Sequence, residues 1–531
     1  MTSRALTFRG SSYPLVLPST RDPRLHVAAV IISIHVLGQV GLHFRVSVPQ
    51  ILAAILTTMV IEIVLTFRQT RSFVWPASAM LTGSGVALIL RVVGTPPDDP
   101  WNTSSWYVFA GVAAFSLLTK YVIRYRGSHV FNPSNIGLVV IFIMLGSARV
   151  EPLDFWWAPL DIWMIAAYAV IVAGGLLITG RLHLLALAAT FWVALGVGVA
   201  ILAASGHCMT ANWAFAPVCG VDFWRVIVTS PEVLIFLFFM ITDPRTVPAG
   251  RVGRVAFGLL VALVSTLLMA PQTNEFGTKV GLLAGLVVVC AGRPILDRLL
   301  PEPRSAADDI GRYATRLARG GTASTGILAG VVRVGLIGAA VFVVGAGIVA
   351  AGTPARGLVV PDVGEVLNGV PRLVDPGTFP TITVAQGVLD FDHTIAGPGA
   401  QQILLTLAEN LELENQALLR KDGSILTAVD HGDRLKEMQG RLHDATTSGR
   451  TVIAHYRFDT VHVILLIPFG VQSGVSLGFE ARGTVTEETY NAAGGLQARR
   501  TSPFALTFAV RRATGARWLN VAVLPLTAGG P

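Results

Sequence analysis

The sequence predicts a polytopic α-helical membrane protein followed by an α+β domain. Three observations carry this. The chain of 531 residues is 52% hydrophobic and 14% charged, with a mean hydropathy of +0.62, whereas soluble proteins carry roughly a quarter charged residues. Apolar runs of membrane-crossing length, about 20 residues, recur through the first 300 positions. Beyond Gly352 the composition becomes that of a soluble domain.

The elements follow in order. Residues 1–25 form a polar, Arg-bearing tail without the small-residue cleavage site of a signal peptide. Eleven spans are expected, at 26–43, 48–67, 76–93, 105–123, 134–148, 162–179, 183–204, 229–242, 254–270, 278–296 and 324–352. Two stand out. The third holds Thr82-Gly83-Ser84-Gly85 and the eighth is short, and such segments often mark places where backbone lines a cavity. Basic residues concentrate in alternate loops: Arg4 to Arg24, Arg68 and Arg71, Lys120 to Arg126, Arg181, Arg245 to Arg254, and Arg293 to Arg319. The other loops are poorer in them and hold Asp98, Asp99, Glu151, Asp154, Asp161 and Glu275. Positive residues mark the cytoplasmic side, so the N-terminus is expected inside and the C-terminal domain outside, in a plasma or inner membrane. The net charge of +8 is assigned to these loops. No basic patch interleaves with aromatics, which excludes nucleic acid as a partner.

Three cysteines are present. Cys290 falls inside the tenth span as a small apolar residue. Cys208 and Cys219 share an outer loop, where they are either a disulfide or two free thiols. No metal-ligand cluster stands out.

The bundle of 26–300 is followed by a polar, basic cytoplasmic linker, 301–323, and by the additional span 324–352. In the domain 353–531, residues 399–412 and 429–445 show helical periodicity, with Glu409, Glu412 and Glu414 read as a solvated face. Four β-like runs follow, from Thr451, Gly474, Ser502 and Arg517, with Ala513-Thr514-Gly515 as a hairpin turn between the last two. Helices and then a curved antiparallel sheet resemble the nuclear-transport-factor-2-like cone. The stretch VAQGVLDFDHT (384–394) resembles the nucleophile strand of haloacid-dehalogenase phosphatases, with Asp390 and Asp392 as the paired carboxylates. No downstream Lys or acidic metal motif accompanies it, so it is read as a strand end leading into a turn and helix.

Three polar elements interrupt the apolar spans. In HVFNPSNIGLVV, Asn132 is suited to cap a helix, Pro133 to start it and Asn135 to sit in its first turn. Such a start also presents unpaired N–H groups and a positive dipole end, which suit a phosphate or a carbonyl-rich ring. In FFMITDPRTVP, Thr242 and Asp243 end the eighth span on the same side. In NEFGTKVGLLAGL, Glu275, Thr278 and Lys279 flank the start of the tenth span on the opposite side.

These elements and their order, with TGSGVALILRV (82–92), resemble a membrane flavoprotein family over roughly residues 50–300. Its members are the D subunit of the Rnf electron-transport complex and the B subunit of the Na+-translocating NADH:quinone reductase. The forms Asn-Pro-Ser-Asn, Thr-Asp-Pro-Arg and Glu-Phe-Gly-Thr-Lys look most like the Rnf D-like membrane proteins of enediyne biosynthesis clusters. The resemblance implies an electron-transfer component that binds a flavin, FMN or riboflavin, near Asn132, Pro133, Asn135, Thr242, Asp243, Glu275 and Thr278. It also implies partner redox subunits and a quinone or small-molecule substrate. The family esterifies its flavin to Thr in a Ser-Gly-Ala-Thr-like motif. Residues 149–237 lack that motif, and Thr210 and Thr229 match it only distantly, which speaks against covalent attachment. The chain has no nicotinamide fingerprint and no iron–sulfur cysteine set. Two other functions fit the same sequence: a transporter on this scaffold for a flavin, an ion or a natural product, and a membrane anchor for a ligand-binding outer domain.

Overall fold

The computed structural model describes all residues except 1, 9–10, 20–21, 43, 94, 96–98, 148, 153–161, 212–217, 320–338, 340–341, 357–373, 376, 378, 392–394, 467–475, 513–517 and 527–531. The chain folds as two compact units. The first is Met1–Met209 with Val218–Leu358 and Phe469–Gln472; the second is Thr210–Pro217 with Val359–Pro468 and Ser473–Pro531.

The first unit is helical. Its N-terminal tail forms a hairpin, β1 (Thr2–Phe8) and β2 (Ser11–Leu17), extended by β3 (Phe73–Val74) in parallel with β2. The helices are α1 (Pro23–Val40), α2 (Val48–Thr70), α3 (Ala77–Ile89), α4 (Trp106–Val122), α5 (Pro133–Leu145), α6 (Ile162–Arg181) and α7 (Leu185–Ala204). Then come α8 (Gly220–Thr229), α9 (Pro231–Ile235) with its π-helical continuation Phe236–Met240, α10 (Arg251–Met269), α11 (Glu275–Ala291), α12 (Arg293–Leu299), α13 (Ile310–Arg319) and α14 (Phe342–Ala351). Short pairs join some ends: β4 (Leu90–Val92) with β7 (Val150–Pro152), β5 (Arg124–Tyr125) with β6 (Ser128–His129), and β8 (Cys208–Met209) with β9 (Val218–Cys219).

Among the described residues, α1, α2, α6, α7, the run Gly220–Met240 and α10 are long and apolar enough to cross a membrane; the bent pair α11–α12 makes a seventh. The apolar helices α3, α4, α5 and α14 are shorter. A multi-pass helical membrane protein follows from these helices. Ten of the eleven expected spans coincide with helices, and the eleventh overlaps α14, most of its remainder lying outside the described residues.

Two expectations change. The glycines of the third span do not interrupt it, because α3 runs through them. They are there for close approach: a Cβ on Gly83 would stand 2.5 Å from the Ala54 carbonyl oxygen of α2, the small-residue packing that membrane helices use. The eighth span is not short. It begins at Gly220 and is broken at Ser230, whose backbone is extended and whose hydroxyl accepts from the Val233 N–H at 3.2 Å. Pro231 cannot supply the N–H that would continue α8. The freed carbonyls are met from neighbouring helices, Thr229 by the Tyr168 hydroxyl at 2.9 Å and Val228 by Trp192 Nε1 at 3.0 Å. A membrane interior demands such replacement.

Glu151, read from sequence as a loop charge, is instead buried. It pairs with Arg91 across the β4–β7 register, and both side chains are 8% exposed. Cys208 and Cys219 are joined by a disulfide across the β8–β9 pair, and Cys290 is a buried free thiol.

The second unit comprises β10 (Ile382–Val384), α15 (Gln386–Phe391), α16 (Pro398–Arg420), α17 (Gly423–Val429), α18 (Gly432–Ser448) and the strands β11 (Thr451–Leu466), β12 (Ser476–Tyr490), β13 (Leu496–Arg512) and β14 (Trp518–Pro525). The sheet order is β10-β11-β12-β13-β14, parallel only between β10 and β11. The strand β13 starts six residues before the sequence expectation, because its register with β12 carries it back to Leu496. The hairpin turn Ala513-Thr514-Gly515 lies outside the described residues. So does Asp392, while Asp390 sits on helix α15 rather than on a strand.

The apolar face of α16 (Ile403, Leu404, Leu407, Leu411) packs on Val461, Val463, Phe479 and Phe508 of the sheet. The solvated face expected at Glu409, Glu412 and Glu414 does not form as such. Glu414 is 3% exposed and takes two guanidinium nitrogens of Arg434, with Asn520 Nδ2 donating to it at 2.9 Å. Glu412 accepts from His455 Nδ1 at 2.8 Å. The helix is buried on two sides here, against the sheet and against α17 and α18, so its period leaves little of it for water.

Candidate functional site

Helix α5 starts as its sequence dictates. Asn132 is in extended conformation, its Oδ1 accepts from the Asn135 N–H at 3.2 Å, and Pro133 occupies the first turn. The same side chain also reaches across the bundle. Asn132 Nδ2 donates to the Met240 carbonyl at 3.3 Å, where the π-helical segment ends. Asn135, 1% exposed, donates through Nδ2 to the Leu283 carbonyl of α11 at 3.0 Å. Two amides thus tie three helical segments. Helix ends and second carbonyl lone pairs supply the acceptors. Asn135 Oδ1 remains a buried acceptor without a hydrogen-bond partner among the described residues. Helix α5 also approaches α4 closely, since a Cβ on Gly137 would collide with the Ser116 hydroxyl.

Asp243 lies at the same end. Its Oδ2 is 3.0 Å from His129 Nε2, and its Oδ1 accepts from the Arg245 N–H at 3.0 Å. Its carbonyl accepts from the Thr246 hydroxyl at 3.1 Å. His129 is 7% exposed. Thr242 is buried and its hydroxyl donates back to the Phe238 carbonyl, so it serves its own helix. The loop beyond is held by Arg293 Nη1, which donates to the Arg245 carbonyl at 2.6 Å.

Glu275 and Thr278 stand apart from this group. Leu283, the contact of Asn135, is eight residues past Glu275 on α11, about 12 Å along the axis. Glu275 lies 2.7 Å from Lys279, which is 3.3 Å from Glu232 of α9. The Thr278 hydroxyl donates to the Asn274 carbonyl at 2.9 Å. The sequence-selected residues therefore divide into Asn132, Asn135 and Asp243 at one end and Glu275, Thr278 and Lys279 toward the other, where Glu232 joins Lys279.

Sequence reasoning missed His129 and Glu232. His129 sits three residues before Asn132, inside the same polar stretch, but nothing in the spacing shows a partner 114 positions away. Glu232 follows the Ser-Pro break and looks like a helix-start charge. Lys120 of α4 was read as a loop charge, yet it bonds Glu62 of α2 at 3.0 Å, 58 positions away.

The arrangement offers one buried acceptor, a helix start and an imidazole–carboxylate pair within a few residues. An amide oxygen in an apolar site accepts from a flat N–H donor such as a flavin ring, so the residues fit that group at its polar edge. One Nδ2 hydrogen of each asparagine goes to a main-chain carbonyl, and the Asn135 and Ile136 N–H groups are taken by Asn132, which leaves Asn135 Oδ1 to do the holding.

No family model matches the chain. It is 24% identical over 287 residues to the D subunit of the ion-translocating oxidoreductase complex of Klebsiella pneumoniae (strain 342), covering 41% of this chain and 75% of that protein. That is a distant similarity, at the level of the Rnf D family and no finer.

Proposed function

We propose that this chain is an integral membrane electron-transfer component resembling the Rnf D protein, working with partner redox subunits in a cell membrane. The carrying observation is the junction of Asn132, Asn135 and Asp243 at one end of the bundle, in a chain distantly similar to such a component. Asn135 Oδ1, the buried acceptor without a partner among the described residues, would hold a flavin, FMN or riboflavin, there without a covalent bond. Bound flavin supplies one- and two-electron chemistry. The chain's own part is to bind, to orient through α5, and to exclude water with packed spans. His129 and Asp243 place an imidazole and a carboxylate at the edge of the site.

The bundle crosses the membrane eleven times, with the N-terminus inside and the second unit outside as a nuclear-transport-factor-2-like cone. A quinone or another small molecule receives the electrons. Service in enediyne-type assembly rests on the spelling of the three polar elements alone. One observation favours a second function, a transporter: the run Gly220–Met240 is broken at Ser230–Pro231, the kind of discontinuity that lines substrate sites.

The deciding experiment is a visible spectrum of the detergent-purified protein, followed by acid denaturation and in-gel fluorescence. Flavin released by acid supports the proposal. Fluorescence retained on the protein band would show an anchoring Thr. Protein that stays colourless after incubation with FMN and riboflavin moves the assignment to the transporter.

A further inference from the structure

The end of the bundle that carries Asp243 also carries basic residues that electron transfer leaves unused. Helix α12 departs from α11 at a bend of 57° at Gly292. Arg126 lies 3.7 Å from Asp297 of α12, and Arg293 holds the Arg245 carbonyl, so α12 is pinned beside the α4–α5 connection and the Asp243 loop. Asp308, 8% exposed, accepts from the Val252 N–H at 3.0 Å and from the Arg304 N–H at 3.1 Å. It thereby caps α10 and fixes the start of α13 at the same end. The linker 301–323, expected as polar and basic, thus contains one short anchored helix, α13, and follows another, α12.

Their surface is mixed in a specific way. Ile295 and Leu299, one turn apart on α12, are 64% and 70% exposed, and Ile310 opens α13 at 45%. Arg298, Arg304 and Arg312 are exposed beside them, and among the described residues no carboxylate pairs with their guanidinium groups. Apolar side chains beside guanidinium groups that lack a carboxylate, at the end of an apolar bundle, match the boundary between acyl chains and phosphate headgroups. A protein partner would need to cover the isoleucines and leucine and also supply several acids; an anionic bilayer surface supplies both at once.

We propose that α12 and α13 form an in-plane collar that binds anionic phospholipid, with Ile295, Leu299 and Ile310 at the acyl boundary and Arg298, Arg304 and Arg312 on headgroup phosphates. This does not depend on the flavin proposal. The full-length protein is purified with equal phosphatidylcholine and phosphatidylglycerol, and the retained lipids are counted by native mass spectrometry. Wild type is expected to retain phosphatidylglycerol preferentially. The preference falls about five-fold for each arginine removed, most in the Arg298→Gln/Arg304→Gln/Arg312→Gln variant, and it weakens at about 0.5 M salt. Replacing the same three residues by Lys preserves most of it. Equal retention of both lipids by wild type overturns the proposal. So does an unchanged preference in the triple Gln variant when circular dichroism shows it folded. If the triple variant does not fold, the exposed single Arg298→Gln gives the same decision.

Discussion

Asn132 shows how much one side chain carries. It caps α5 through Oδ1 and ties Met240 through Nδ2. Replacing it with Ala removes both, at about 1 kcal/mol for the cap and roughly 0.6 kcal/mol for an interhelical bond in a membrane. Thermal unfolding of detergent-purified Asn132→Ala should fall by a few degrees, while Asn135→Ala, which removes the acceptor proposed for the flavin together with the tie to the Leu283 carbonyl, should stay largely folded and fail to bind FMN. Equal loss of folded protein in both variants would reduce the site to helix locking. In the second unit, Asp430 is 1% exposed. Burial, then the negative charge of Glu414, hold its carboxyl well above the usual range, against the opposing pull of Arg434 and Asn520. Its folded value exceeds its unfolded value, so its contribution to stability is full at acid pH and is lost as pH rises through the raised value. Asp430→Asn should flatten that decline and stabilise the protein at neutral pH, read from denaturation midpoints between pH 4 and 8. A variant whose midpoints follow the wild-type slope would refute the assignment.

At the scale of the element, the break at Ser230–Pro231 depends on groups outside its own helix. Tyr168 and Trp192 supply the two hydrogen bonds that α8 loses. Tyr168→Phe and Trp192→Phe should each destabilise by about 1 kcal/mol, measured by thermal unfolding in detergent. If α8 instead straightens and recovers its own bonds, neither change will register. Helix α4 meets α5 at Gly137 with no room for a larger residue. Gly137→Leu should therefore cost far more than Gly111→Leu, because a side chain on Gly111 meets nothing within 4 Å. Folded yield on gel filtration would show the difference.

For the whole molecule, the expected topology has a direct check. Cysteine labels placed at Ser305 and Ser424 should react from opposite sides of the membrane if the eleven spans hold. Labelling from one side only would mean an even number of crossings between the helical unit and the second unit. The Cys208–Cys219 bond adds an independent marker. Alkylation in intact cells should leave both unmodified until a reductant is added, and immediate modification would refute the bond.

The sequence alone determined the helical membrane class, most helix positions and the α5 start. Hydropathy, charge alternation and an Asn-Pro cap are local signals, and transfer out of water enforces them one segment at a time. It also placed four strands of the second unit, since alternation over eight or more residues is local too. Tertiary structure decided which polar residues meet. His129 finds Asp243, Asn135 finds the Leu283 carbonyl, Arg91 finds Glu151 and Glu414 finds Arg434. It also decided that Glu275 and Thr278 belong elsewhere than Asn132, and that Gly83 serves packing rather than a break. In each case the partner lies on another element, brought close by helix or strand packing. A single chain read in order carries no distance between such elements, so burial and pairing had to come from the fold.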